Sequence, residues 1–196
     1  MTKKLQTSLN TFSDYLTKWK VCVNAEKTQA IIFPHRNTRR LQPSATLRFN
    51  GTDIPWTPEV RYLGLTIDKK LLYRSHMDSL FTKGTILLKK LYPLINRRSK
   101  LSINNKLAIY KQIILPMLLY ACPVWKNCAQ IHHLKLRRIQ NRFLKMILNL
   151  PLRTSTTEVL RLANVEPVDI KMLQIEEQLK NSASNSDARL IRELFI

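Results

Sequence analysis

Two cysteines and two histidines with metal-ligating side chains lie close together in the sequence: Cys122, Cys128, His132 and His133. Thiolates and imidazoles are the ligands that zinc prefers, but the spacing C-x5-C-x3-H-H is not that of a standard zinc finger. Adjacent histidines on a helix also point about 100° apart. Two packed thiols and two imidazoles on a helix surface are therefore the favoured interpretation, and no metal site is predicted.

Carboxylates for two-metal phosphoryl or nucleotidyl transfer are not clustered in this chain. Two divalent ions about 4 Å apart need several acidic side chains to hold and neutralise them. Among the 13 Asp and Glu residues no two Asp are adjacent or one apart, and Glu176 and Glu177 fall in a late amphipathic segment. Three glycines cannot build a P-loop or a dinucleotide-binding loop, and no G-x-S-x-G is present. The residue types alone indicate no recognisable catalytic centre.

Four basic residues recur at spacings of three, four and three, which places them on one side of a predicted helix at 130–149: Lys135, Arg138, Arg142 and Lys145. A stripe of charge is usually a solvated helix face. Here, however, no Asp or Glu occurs from residue 79 to 157, a segment that holds 15 of the 33 Lys and Arg residues. Because no acid in that segment neutralises the stripe, it is predicted to contact nucleic-acid phosphates.

The composition agrees with a folded, basic protein. The chain has 196 residues, 44% of them hydrophobic, and a formal net charge of +20, which indicates a polyanionic partner. The longest uncharged stretch has 14 residues and two prolines, too short for a membrane-spanning helix of about 20 residues. Three cysteines without disulfide spacing predict a reducing compartment, the nucleus and/or the cytoplasm, and no membrane is expected as a partner.

The first third of the chain is predicted to form a helix and a small antiparallel sheet. Apolar residues at positions 5, 9, 12, 16 and 19 mark one face of a helix at 3–20. Two short strands are expected around Val21 and Val23 and at 30–33, and a basic loop at 34–45. Asn50-Gly51 predicts a type I′ hairpin between strands at 46–49 and 52–56. A single further strand is expected at 60–67.

The remainder of the chain is predicted to be helical. Helices are expected at 75–92, from residue 103 with Ser102 as N-cap, at 130–149, at 156–164 and at 168–182. Pro116 should kink or end the second of these, and Pro151 should stop the third. The predicted fold class is therefore α+β, with a small antiparallel sheet followed by a mostly helical bundle.

Four segments in series resemble reverse transcriptases of non-LTR (LINE-type) retrotransposons, especially the jockey-like elements of insects. WKVCVNAEKTQAIIF at 19–33 resembles their motif D, and VRYLGLTID at 60–68 resembles motif E, the primer grip. Residues 101–125 and 136–147 resemble the thumb and the helix after it. The resemblance covers about residues 5–170. Each motif alone is weak, but their order and spacing together are specific.

The resemblance implies a C-terminal part of such a polymerase. Residues 1–68 would be the end of the palm, with its sheet remnant, residues 69–151 a basic helical thumb, and residues 152–196 a C-terminal helical extension and tail. In the family, metal-binding carboxylates lie in motif A and in an F/Y-x-D-D motif C, and no F/Y-x-D-D occurs here. The chain alone is therefore predicted to be inactive and to hold no cofactor, although the parent family uses Mg²⁺.

Individual roles carry over by resemblance. Lys27 matches the motif D lysine, a candidate general acid that would protonate the leaving pyrophosphate. Tyr62, Leu63 and Gly64 match the primer grip, which holds the primer end. Arg74 departs from the pattern, in which many relatives have Trp. From the residues alone, Lys27 could equally be a turn lysine, and Tyr62 to Gly64 part of a sheet core.

Three functional hypotheses follow from the sequence. The first is a C-terminal fragment of an RNA-directed DNA polymerase that binds an RNA–DNA template–primer, with the upstream part of the polymerase as a possible partner. The second is a non-catalytic nucleic-acid-binding module. The third is a helical protein-interaction module whose charge is incidental, although it leaves the acid-free segment at 79–157 unexplained.

Overall fold

The computed structural model describes residues 2–34 and 45–185. The predicted basic loop at 34–45 falls almost entirely outside these residues, as does the tail beyond residue 185. The chain divides into two compact units, Met1–Leu71 and Leu72–Ile196. Helices and two small antiparallel sheets confirm the predicted α+β class. The assignment of residues 1–68 to a palm, 69–151 to a thumb and 152–196 to an extension stays a prediction.

The first unit packs one helix against a two-stranded hairpin. Helix α1 (Thr2–Lys18) is followed along the chain by β1 (Leu47–Phe49) and β2 (Thr52–Ile54). The Gln6 side chain donates to the Arg48 carbonyl (2.7 Å) and accepts from the Arg48 N–H (2.8 Å), which ties α1 to β1. A small core follows from this docking: Leu16, Leu47, Phe49 and Ile54.

The β1–β2 turn confirms the predicted type I′ hairpin. Asn50 and Gly51 have φ angles of +50° and +78°, and this conformation suits Asn and Gly because they tolerate left-handed backbone at little cost. The apolar face predicted for α1 is only partly used. Leu16 is buried, whereas Phe12 and Trp19 are 49% and 62% exposed.

The strands predicted around Val21 and Val23 and at 30–33 are wrong. Between these two segments the chain turns in a single-turn 3-10 helix (Ala25–Lys27), because the Asn24 side chain accepts a hydrogen bond from the Lys27 N–H at 3.0 Å. In the second predicted strand, at 30–33, Ala30 is the one residue that pairs with another described segment, through an isolated parallel β-bridge to Trp56. Without a neighbouring strand, the β-branched residues cannot build a ladder.

The single strand predicted at 60–67 is also wrong, because the chain reverses in its middle. Strands β3 (Glu59–Tyr62) and β4 (Leu65–Asp68) pair antiparallel around Leu63 and Gly64. These two turn residues have φ angles of +46° and +81°. Leu63 therefore lies at a turn, 73% exposed, and is not part of a sheet core.

The second unit is a helical bundle that confirms the predicted run of helices. Its elements are α2 (Arg74–Ile95), α3 (Ile103–Ile109), a π-helical turn (Tyr110–Ile114), α4 (Leu115–Leu119), α5 (Cys122–Trp125), α6 (Gln130–Ile147), α7 (Thr156–Ala163) and α8 (Val168–Ser184). Its core is built around large, fully buried side chains, among them Trp125, Tyr110, Phe143, Met77 and Ile95. In the part of the chain that the structure describes, no helix has the length and apolarity to cross a bilayer.

Helix boundaries follow local chemistry. Ser102 caps α3 as predicted, its hydroxyl accepting from the Asn105 N–H at 3.2 Å. Pro116 does not end the helix, and the backbone stays helical from residue 103 to 119. Proline has no N–H to donate within a helix, and here a π-helical turn directly precedes the turn that contains it. Helix α6 ends at Ile147, before Pro151, where Asn149 adopts φ +54° and the Leu150 N–H reaches the Lys145 carbonyl at 2.9 Å.

Candidate nucleic-acid interface

Helix α6 is held in place by a close crossing with α2. Leu136, Ile139 and Phe143 of α6 are buried in the bundle. Gly84 of α2 faces Ile139 so closely that a β-carbon at position 84 would lie 2.8 Å from the Ile139 Cδ1. The glycine thus permits the approach of the two helices, and their flanks form one continuous surface.

The four predicted phosphate-binding residues share one side of α6, where Lys135 and Arg142 contact α2, but they differ in availability. Lys135 is ion-paired with Asp78 of α2. The Lys145 Nζ donates to the Leu152 carbonyl at 2.5 Å. The Arg142 guanidinium lies 6.0 Å from the Phe81 ring centroid, and the Arg138 side chain makes no hydrogen bond or ion pair with a described residue. Arg138 and Arg142 are exposed, whereas Lys135 and Lys145 are half-buried.

Two cations of α2 belong to the same surface. At about 100° per residue, Arg74, Asp78, Phe81 and Lys89 fall within an arc of about 80° on α2. The contacts of Asp78 with Lys135 and of Phe81 with Arg142 identify that arc as the one beside the α6 stripe. We call the surface formed by Arg74, Lys89, Arg138 and Arg142, with the Asp78–Lys135 pair inside it, the basic seam.

Sequence reasoning missed Arg74 and Lys89 as parts of this surface. Both are exposed. The sequence shows that Arg74 and Lys89 share a side of their helix with Asp78. It does not show that Asp78 contacts Lys135. Only the packing of α2 on α6 joins the two rows of charge.

The opposite flank of α6 is neutralised by acids from α8. Arg137 pairs with Asp169, and Lys126, in the loop before α6, pairs with Glu176. Hydrogen bonds from Lys126 and Lys180 lower the pKa of Glu176. The acid-free segment 79–157 is therefore not free of ion pairs in three dimensions, because acids just outside it reach several of its cations.

The candidate zinc ligands make other contacts. The Cys128 Sγ lies 3.7 Å from the His133 Nε2, and that nitrogen is 2.8 Å from the Lys126 carbonyl oxygen. The His133 Nδ1 lies 3.4 Å from Asp169, whereas His132 is buried on the side of Asp78 and Lys135. Burial raises the pKa of the Cys122 thiol to about 11. Across residues 2–34 and 45–185, no group of three or more His, Cys, Asp and Glu side chains is arranged to hold a metal ion.

The remaining predicted site residues lie in the first unit. Lys27 ends the 3-10 turn and is exposed. Tyr62, Leu63 and Gly64 form the tip of the β3–β4 hairpin, where Tyr62 is 63% exposed. The structure thus brings the three hairpin residues together on the surface. Their functional roles, like those of Lys27, stay predictions.

The chain is similar over nearly its whole length to polymerases of Drosophila mobile elements. It is 32% identical over 189 residues, 96% of the chain, to an RNA-directed DNA polymerase from mobile element jockey of Drosophila funebris. It is 28% identical over 181 residues, 92% of the chain, to a probable RNA-directed DNA polymerase from transposon X-element of Drosophila melanogaster. It spans only 19% of the length of each of these curated relatives.

A Drosophila melanogaster relative, a probable RNA-directed DNA polymerase from transposon BS, is 27% identical over 96% of the chain, which spans 20% of it. No protein-family model matches the chain, and no solved structure matches it. The chain therefore corresponds to a segment, about one fifth of the length, of the RNA-directed DNA polymerases of jockey-like and other non-LTR retrotransposons.

Proposed function

We propose that the chain is the part of a retrotransposon RNA-directed DNA polymerase that binds the sugar–phosphate backbone of an RNA–DNA template–primer. The observation that carries this proposal is the basic seam, where cations from α2 and α6 lie on one surface. The one acid described in the seam, Asp78, pairs with Lys135. Arg138 and Arg142 therefore have no carboxylate partner among the residues that the structure describes. The family supports the choice of nucleic acid as the polyanion.

The chemistry of the seam favours phosphates over bases. Guanidinium groups form paired hydrogen bonds with phosphate oxygens, and such backbone contacts position a duplex without reading its sequence. The Phe81 ring beneath Arg142 restrains that side chain, so that less conformational freedom is lost on binding. We therefore expect binding that depends strongly on salt and weakly on base sequence.

The first unit supplies the finer parts of the proposal. Lys27 would donate a proton to the leaving pyrophosphate, and the Tyr62–Leu63–Gly64 hairpin tip would hold the primer end. The exposure of the Lys27 side chain and of the hairpin tip supports both roles. Each role needs reacting groups from elsewhere in a polymerase, because the chain itself carries no F/Y-x-D-D motif.

The described acids do not fit the paired Mg²⁺ ions of the parent family. Asp78 on α2 and Asp169 and Glu176 on α8 are each engaged by a basic side chain, and within residues 2–34 and 45–185 no group of three or more acidic, His or Cys side chains is arranged to hold a metal ion. Two-metal chemistry needs carboxylates clustered about ions roughly 4 Å apart. We therefore propose that this chain by itself binds template–primer without extending it.

Binding is tested by fluorescence anisotropy with a labelled RNA–DNA hybrid at several salt concentrations. We expect log K to fall linearly with log salt, and the double variant Arg138→Gln/Arg142→Gln to flatten the slope by roughly 1.8, or about 0.9 per phosphate contact. The matched control Lys3→Gln/Lys4→Gln removes two positive charges from α1 and should leave most of the slope intact. Equal effects of the two double variants, or no hybrid binding, would refute the proposal.

Catalysis is tested separately with a primed RNA template, Mg²⁺ and all four dNTPs. The expected result is no incorporation above the level of a Lys27→Ala control. Primer extension by the wild-type chain that is lost in Lys27→Ala would contradict the proposed inactivity and would support the general-acid role of Lys27 instead.

A further inference from the structure

The Asp78 carboxylate lies inside the basic seam. It accepts a hydrogen bond from the Lys135 Nζ, and the charges of Arg74 and His132 also act on it. The hydrogen bond from Lys135 lowers the pKa of Asp78, so the carboxylate is ionised at neutral pH. Asp78 immediately precedes the acid-free segment 79–157, so it is the last acid before a run of 79 residues without one.

The Asp78–Lys135 pair is poorly placed to stabilise the fold. The Asp78 side chain is 51% exposed and that of Lys135 is 30% exposed. Exposed ion pairs contribute little to folding stability, because water screens them and two flexible side chains must be held in one geometry. By contrast, the Asp169 side chain on the α8 flank is 22% exposed and contacts both Arg137 and His133.

A carboxylate at this position opposes phosphate binding in two ways. It repels an approaching phosphate, and it holds the ammonium group that would otherwise bind that phosphate. Arg138, one helical turn further along α6, has no carboxylate partner among the described residues. Lys135 and Arg138 thus differ in availability, although the sequence gives them equivalent places in one stripe.

We propose that Asp78 competes with nucleic-acid phosphate for Lys135, so that Lys135 is a reserve cation that contacts the backbone only when the carboxylate releases it. The inference rests on the proposed function, because it presupposes that the seam binds a duplex. Asp78 is then a positioning residue that weakens binding at one point of the seam. A duplex held in this way dissociates or shifts more readily than one held by every cation.

The test is a double-mutant cycle on salt-dependent binding of the RNA–DNA hybrid. Asp78→Asn keeps the shape of the side chain and removes its charge. We expect tighter binding and a slope of log K against log salt steeper by about 0.9, the value of one added phosphate contact. Over a fourfold change in salt this is an additional affinity loss of about 3.5-fold.

Lys135→Gln completes the cycle. In the wild-type background we expect it to change the slope little, because Asp78 already occupies Lys135. In the Asp78→Asn background it should remove the added slope of about 0.9. If Lys135→Gln costs the same slope in both backgrounds, the two residues act independently and the inference is wrong.

Asp169→Asn is the matched control, because it makes the same chemical change and frees Arg137 on the opposite flank. An increase in slope equal to that of Asp78→Asn would mean that net charge alone matters, and it would overturn the inference. The absence of salt-dependent binding by the wild-type chain would instead refute the proposed function. Wild-type binding with an unchanged Asp78→Asn slope refutes only the role of Asp78. If Asp78→Asn folds poorly, the Lys135→Gln variant with Asp78 retained still tests the inference. A slope lowered by about 0.9 in that variant would mean that Lys135 already contacts phosphate, and it would contradict the inference.

Discussion

Replacement of Gln140 by Leu should strongly destabilise the helical unit. Gln140 is 2% exposed in α6. Its amide nitrogen donates to the Tyr110 hydroxyl (3.0 Å) and to the Glu166 carbonyl (2.9 Å), and its amide oxygen accepts from the Val168 N–H (3.0 Å). One side chain thus joins the π turn, α6 and the start of α8.

The size of the effect follows from these contacts. Leu has a similar volume but leaves two buried groups, the Tyr110 hydroxyl and the Val168 N–H, unsatisfied at a cost of about 1–3 kcal/mol each, and it removes a bond to the less buried Glu166 carbonyl worth about 0.5–1.5 kcal/mol. Burial of the added apolar surface returns about 1.5–3 kcal/mol. At mid-range, about 5 kcal/mol is lost and about 2 kcal/mol is returned, which gives a net loss of about 3 kcal/mol in the free energy of unfolding. With a urea m-value of about 1.5 kcal/mol/M, a loss of about 3 kcal/mol lowers the midpoint by about 2 M.

Trp125 is the probe for this measurement, because it is fully buried in the same unit. The other two tryptophans, Trp19 and Trp56, lie in the first unit and are replaced by Phe in every protein compared. Urea unfolding followed by Trp125 fluorescence then reports the helical unit. Gln130→Leu, at the exposed first residue of α6, is the matched control and should shift the midpoint little.

A second substitution sharpens the reasoning. Tyr110→Phe should cost about 0.5–1.5 kcal/mol in the wild-type background, because it removes one hydrogen bond. In the Gln140→Leu background it should be neutral or stabilising, because it removes a hydroxyl that has lost its partner. A Gln140→Leu variant within 1 kcal/mol of the wild type, or equal Tyr110→Phe costs in both backgrounds, would refute the assigned role of the network.

Three further predictions concern other buried groups. Lys106→Met should destabilise the helical unit by about 1.5–3 kcal/mol in urea unfolding. The lysine is 5% exposed, and its Nζ donates to the carbonyl of Asn96, the residue after α2, at 2.7 Å. A change under about 0.5 kcal/mol would contradict this. Iodoacetamide at neutral pH should label exposed Cys22 alone, and Cys122 and Cys128 only after unfolding, because burial raises both thiol pKa values; three fast-reacting thiols in the native protein would be the contrary result. Burial lowers the pKa of His132 below its ordinary 6.5, so the unfolded chain binds more protons and stability falls as pH drops below 6.5; the Tm of His132→Gln should depend less on pH there than that of the wild type.

Local signals in the sequence predict most helices and one hairpin correctly. Ser102 marks the start of α3 by its own side-chain chemistry, and Asn50-Gly51 marks a turn because both residues tolerate positive φ. The second hairpin escaped prediction because Leu63, which disfavours left-handed backbone, occupies the turn. Val21 and Val23 have strand propensity, but propensity does not provide a partner strand, and within residues 2–34 and 45–185 none forms there.

The candidate site, like the fold, could be predicted only in part. The stripe on α6 is readable because helical spacing fixes which residues share a side. The availability of each cation is not, because it depends on contacts between distant segments. Lys135 meets Asp78, which is 57 residues away in sequence, and Arg137 meets Asp169, 32 residues away. Charge counted along the sequence therefore overestimates the number of free cations on α6.

The contact between Gly84 and Ile139 sets the width of the surface between α2 and α6. A methyl group at position 84 would meet Ile139 at 2.8 Å, so the two helices or the isoleucine must shift to admit it. If the helices shift, Arg74 and Lys89 change their distance from Arg138 and Arg142, while every charge is retained. Phosphates along a strand have a fixed repeat, and matching it from two helices requires a fixed separation. Gly84 thus sets the separation of α2 and α6. An uncharged substitution there, remote from any phosphate, can alter the affinity for a nucleic acid.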